Sequence, residues 1–182
     1  MEKLECFFAE NRKQNIQGVV RRVQCYFFSK NMTEKLREAF LEASQSYTAL
    51  KKFEQILTEN PNSSALGTAY KAALRALYGY YAIVPAIKLS YFFEASQLLQ
   101  SALEQSPDNI EVRFIRFAIE SNLPAAANNY ALHLREDKKV IIDGIGRSKL
   151  KKSFKKVIAQ MLIASMLCTF SDKRVLEKYL AD

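Results

Sequence analysis

The chain has 182 residues, 49% of them hydrophobic, with five glycines, four prolines and no tryptophan. That is enough apolar material for one domain with a sizeable core, and the scarcity of Gly and Pro excludes both a disordered chain and a turn-rich all-β fold. The net charge is +8, and where it lies along the chain says more than its sum.

The opening "MEKLECFFAENRKQN" is broken by charges before any useful apolar run, so no secretory signal is expected and the chain is read as cytoplasmic. Ile16, Val19, Val20, Val23 and Phe27 then keep helical spacing, interrupted by Gly18. A helix is predicted from about Thr33 to Ser46, where Asn31 and Glu34 have capping-box spacing, and another from about Thr48 to Glu59, ending at "NPNSS". The next covers about Ser64 to Ala82, before "IVPAIKLS". One more ends at "SPDN", and Asn109 to Ser121 follows, with Asp108 and Glu111 expected to cap it reciprocally. Pro124 suits the first position of a helix running to about Ile142. After the "DGIG" turn come a long helix, Ser148 to Phe170, and a short one beyond Ser171. This makes about nine helices with short links, for which antiparallel neighbours are the expected arrangement. The longest near-apolar run, Val157 to Phe170, has 14 residues. At about 1.5 Å per residue it is too short for a ~30 Å bilayer core and reads as a buried helix.

One spacing occurs twice. Ala95, Leu99 and Ala102 precede Pro107, and Ala49, Phe53 and Ile56 precede Pro61. Small, large, small or medium, then proline at the helix end resembles the second helix of a tetratricopeptide repeat, with Leu36 and Phe40 at apolar positions of the preceding helix. In that pattern the small residues set the contact distance between paired helices. The prolines are 46 residues apart, about 12 more than the family's period of about 34. Lengthened helices around "GYYAIVPAIKLS" are expected to absorb the difference. The family's tryptophan and glycine are missing from the first helices, and a third unit after Pro107 is degenerate. The stretch "PDNIEVRFIRFAIESN" is also similar to small uncharacterised bacterial proteins of this helical type.

The resemblance covers about Asn31 to Arg135. It implies an all-α fold of antiparallel helix pairs stacked as a short, degenerate TPR-like right-handed solenoid and says almost nothing of function; the expected function, on the sequence as a whole, is a non-enzymatic protein-interaction scaffold that binds a protein or peptide. The expected organisation is an N-terminal cap or extension at 1–30, a repeat region at 31–146, and a basic helical region at 147–182 packed on the same domain. Residues 1–30 read either as a helix covering the first repeat's exposed face or as a segment upstream of a start at Met32.

Catalytic signals are weak. The single histidine, His133, has Tyr130 and Asp137 at helical spacing and reads as a structural residue, and one histidine builds no multi-His metal site. "DGIG" lacks the pattern of a phosphate-binding loop. Cys6, Cys25 and Cys168 lie too far apart for zinc-type pairing and read as reduced thiols. No enzyme activity, metal or cofactor is expected.

Charge supplies the binding candidates. Residues 1–30 carry six basic and three acidic residues, residues 31–132 nine and ten, and residues 133–182 twelve and six, so the basic excess sits mostly after the repeat-like region. In "RSKLKKSFKK", Arg147, Lys149, Lys151, Lys152, Lys155 and Lys156 meet no acidic residue, while Leu150, Phe154, Val157 and Met161 form an apolar stripe. Such a helix is either a solvated face over the core or a surface for anionic membrane or nucleic acid, which makes a peripheral membrane or nucleic-acid-binding protein the alternative reading. Arg113 and Arg116 share one face, opposite Val112, Ile115 and Ile119. On the concave side of a helical stack they would clamp a partner's carboxylate, with Lys88 as a third cation; the other reading is an intramolecular pair such as Arg116 with Glu120.

Overall fold

The computed structural model describes residues 32–123 and 129–180, and among them there are eight α-helices and no strand. They are α1 (32–43), α2 (Tyr47–Glu59), α3 (Ala65–Tyr81), α4 (Pro85–Gln105), α5 (Ile110–Ser121), α6 (Leu134–Gly144), α7 (Lys152–Ala164) and α8 (Phe170–Glu177). The starts follow from local chemistry. Ser46 and Ser64 accept from the backbone N–H groups of Ala49 and Gly67, and Thr169 forms a reciprocal capping box with Asp172. Pro85 opens α4, where its missing N–H costs nothing.

Five expectations are corrected. Asn109 caps α5, accepting from the N–H groups of Glu111 and Val112, because the Glu111 carboxylate is drawn to Arg37 and Tyr70 instead. The helix expected from Pro124 begins only at Leu134; Pro124 to Asn128 lie outside the described residues. It runs on to Gly144, so the turn follows "DG" rather than containing it. The long helix expected from Ser148 to Phe170 is two: α7 stops at Ala164, where Met166 takes a left-handed backbone with φ of 59°, and α8 starts at Phe170. The stripe of α2 is Leu50, Phe53 and Leu57, with Ala49 and Ile56 only half-buried. The expected helix around Ile16 to Phe27, the cap at Asn31, Cys6 and Cys25 lie outside the described residues.

In α4 the stripe is Ala95, Leu99 and Ala102, all buried, and α3 contributes the buried Ala69, Ala72 and Ala73 to the same core. These small side chains bring the two helices into the most extensive pairing of the fold. The approach is close at Gly79, where a Cβ would stand 3.2 Å from Tyr91 Cβ and 3.3 Å from the Lys88 carbonyl. With 17 and 21 residues against 13 in α2, the pair outruns its neighbours.

Two cores result, and α5 lies between them. On one side Val112 and Ile115 join Leu36, Phe53, Tyr70 and Leu99; on the other Phe114 and Phe117 join Ile141, Phe154, Ile158 and Leu176. Every residue from Glu111 to Ala118 is buried, which leaves the charges of α5 no route to water.

Candidate functional site

An amphipathic helix normally sends its charges to solvent. In α5 that face is covered by α6, and the charges must find partners inside. Asp137, 0% exposed, is the hub. Arg116 donates to it bidentately, Nε to Oδ2 and Nη2 to Oδ1, both at 2.7 Å. Arg113 donates from Nη1 to Asp137 Oδ1 at 2.9 Å and from Nε to the Pro107 carbonyl at 2.7 Å, and it pairs with Glu136. Burial opposes charge on Arg113, but the bonds to Asp137 and Glu136 hold its pKa above the ordinary guanidinium value. The bond from Arg113 holds the Glu136 carboxyl below the usual carboxylate range.

Arg113 and Arg116 therefore line no open concave face; α6 fills the place that a captured carboxylate would take. Their intramolecular partner is Asp137 rather than Glu120, which instead accepts from the backbone N–H of His133 and meets His133 Nδ1 at 2.7 Å. His133 is thus oriented by Glu120, while Asp137 serves the arginines. Lys88 does not join them. It sits in the first turn of α4, and Arg113 reaches the Pro107 carbonyl past the other end of that helix, about 26 Å away at the helical rise.

A second buried group lies toward the other core. Glu111 accepts from Arg37 Nε at 2.8 Å and Nη2 at 2.6 Å, and from the Tyr70 hydroxyl. Burial, reinforced by the Glu111 charge, pushes the Tyr70 phenol well above its usual range, so it stays a donor. Arg37 also pairs with Glu34 and lies over the Phe154 ring. Among the described residues no buried side-chain nitrogen or oxygen lacks a partner. Such networks hold elements in register.

The outer surface carries the open features. Of the five lysines singled out above, Lys149, Lys151 and Lys152 are exposed and Lys155 and Lys156 are half-buried. Lys151 pairs with Glu34 at 3.1 Å, and Lys155 donates to the Gly146 carbonyl and lies over the Tyr179 ring. Only the first of these contacts neutralises charge. The apolar stripe beside them divides. Phe154 is buried, whereas Val157, Met161 and Ala164, together with Gln160 and Ser165, form one wall of a groove of about 460 Å³ whose other wall is Ser121 and Asn122.

The second open feature is the end of the α3–α4 pair. Every residue from Ile83 to Ser90 is exposed, and Ile83, Val84, Ile87 and Leu89 are apolar. Reading "IVPAIKLS" as added length conceals this, because an inserted segment and an exposed apolar end have the same composition. Asp137 and Glu111 are equally hidden as hubs, since their partners stand 21 to 74 residues away.

No protein-family model matches the chain, and neither a curated protein nor a solved structure matches it. Among the described residues no group of three or more His, Cys, Asp or Glu stands close enough to hold a metal ion, and no helix is long and apolar enough to cross a membrane. Cys168 is a free, half-buried thiol whose pKa burial raises, the opposite of an activated nucleophile.

Proposed function

We propose that the chain is a non-enzymatic protein-interaction scaffold, a short TPR-like stack of helix pairs, and that it holds an acidic amphipathic segment of a partner in the groove between α7 and the end of α5. The observation that carries this reading is that the helix supplying the groove's apolar residues follows directly on a run of one sign of charge. Val157, Met161 and Ala164 face the groove, and from Gly144 to Ser171 the chain has no acidic residue but has six Lys or Arg. A partner helix with apolar residues on one side and Glu or Asp on the other matches both properties.

The test uses two synthetic helical peptides with the same leucine face, one with glutamates on its polar side and one with lysines. Fluorescence anisotropy should show the glutamate peptide binding, with affinity falling as salt rises, and the lysine peptide not binding. Ala164→Glu, an exposed position in the groove, should abolish capture without moving the melting temperature. Equal affinity for both peptides, or for neither, contradicts the reading.

A further inference from the structure

We infer that the α3–α4 end is a membrane-surface anchor, which inserts its aliphatic tip into the interfacial layer of an anionic bilayer. This is a different site and a different partner from the groove.

Three observations carry it. The first is shape. Each of residues 83–90 is exposed, Ile83 at 92%, and apart from the seam where the Lys88 backbone meets Gly79 the tip projects into solvent. A protein partner must supply a matching socket for a projection, whereas a fluid bilayer closes around one.

The second is layering. At the far end stand the aliphatic Ile83, Val84 and Ile87. Behind them come rings: Tyr80, 66% exposed, set edge-on to Tyr81; Tyr78 stacked on Tyr91; and Phe92 and Phe93, both packed on Tyr130. Charge enters at the inner edge of this layer, where the Tyr78 hydroxyl donates to Glu54 at 2.6 Å and Glu54 pairs with Lys51 at 3.0 Å, and continues with Arg75 and Glu94 at 3.4 Å. Hydrocarbon, then phenols and rings, then charge is the order in which a bilayer changes from core to water. From Pro85 to Leu89 α4 rises about 6 Å, within the ~5–10 Å to which interfacial elements sink.

The third is charge. From Ala76 to Phe93 there is no acidic residue and one cation, Lys88, whose Nζ donates to the Tyr80 carbonyl at 3.3 Å. That bond satisfies a carbonyl near the end of α3 and holds the ammonium at the level of the phenols, where lipid phosphates lie. The net charge of +8 lies outside residues 31–132, so it brings the chain as a whole toward an anionic surface and does not by itself select the tip.

The experiment uses the full chain with vesicles of phosphatidylcholine alone and of phosphatidylcholine mixed with phosphatidylglycerol. Because the sequence has no tryptophan, Ile83→Trp places a single indole at the tip. The expected result is co-sedimentation with the mixed vesicles, a blue shift of the indole emission in the Ile83→Trp variant and its quenching by brominated lipid. The Ile83→Asp/Ile87→Asp double variant, charged at two exposed positions, should lose partitioning by about tenfold or more and keep the wild-type circular dichroism. Three results overturn the inference. One is a wild type that sediments with neither vesicle. Another is equal sedimentation with and without the aspartates while the indole emission stays unshifted, which assigns the binding to the lysines of α7. The last is self-association through the tip with no response to vesicles, which makes the occupant a second copy. The Ala164→Glu variant should sediment like the wild type, so loss of the groove and loss of the anchor are read apart.

Discussion

Helix α5 and the α3–α4 tip invert the usual distribution of polarity in opposite directions. The first carries Glu111, Arg113, Arg116 and Glu120 in the interior, and the second carries Ile83, Val84, Ile87 and Leu89 on the outside. The interior charges are tolerated because each finds a geometrically good partner on another helix, Asp137 on α6, Arg37 on α1 or His133 at the start of α6. The exterior aliphatics have no such partner among the described residues. A buried charge is thus evidence about the fold, and an exposed apolar projection is evidence about what the fold meets.

The contrast is broken most severely at Asp137. Asp137→Ala leaves two guanidiniums buried without their carboxylate, and urea unfolding should show a loss of about 3–5 kcal/mol. A charge introduced at the exposed Ile83 by Ile83→Asp should move stability by no more than about 0.5 kcal/mol in the same assay. Next in size are the alanines that set the spacing of α3 and α4. Ala95→Leu and Ala102→Leu should each cost about 1–3 kcal/mol by overpacking, read from thermal melts; unchanged melts would remove the close-contact role.

A smaller effect than those at Asp137 and the alanines concerns pH. The Asp172 carboxyl is held below its ordinary range, chiefly by the bond from Lys138 at 2.6 Å, and Glu136 by the bond from Arg113. A carboxyl lowered in the folded state stabilises above its unfolded value, near 4, and that contribution disappears as pH falls through the lower folded value. Stability should therefore decline below about pH 4. Glu136→Gln should flatten part of the decline, by under about 1 kcal/mol because the Glu136 side chain is 56% exposed.

How much of this is legible in the sequence depends on the range of the interaction. The helix ends of α2, α3 and α5 come within a residue or two of the sequence expectation, because Ser46, Ser64 and Asn109 act on neighbours two or three positions away. The break between α7 and α8 is not legible, since "IASMLCT" has no Pro or Gly and its stop is a left-handed methionine. The alanine spacing of α4 points to close helix contact, while the same rule applied to Ala49 is off by one position, because the neighbouring Leu50 is the residue turned inward. Arg113 and Arg116 are recognisable as a pair on one face. Whether that face meets solvent, a ligand or α6 depends on a helix 21 or more residues away, and no local spacing reports it.

That α5 is enclosed while the tip is open is tested most directly by amide hydrogen exchange on the full chain in buffer. The amides of residues 112–118 should exchange only through global unfolding, with an opening free energy equal to that from urea, while those of 86–88 should exchange orders of magnitude faster. Exchange in α5 as fast as at the tip would contradict the account.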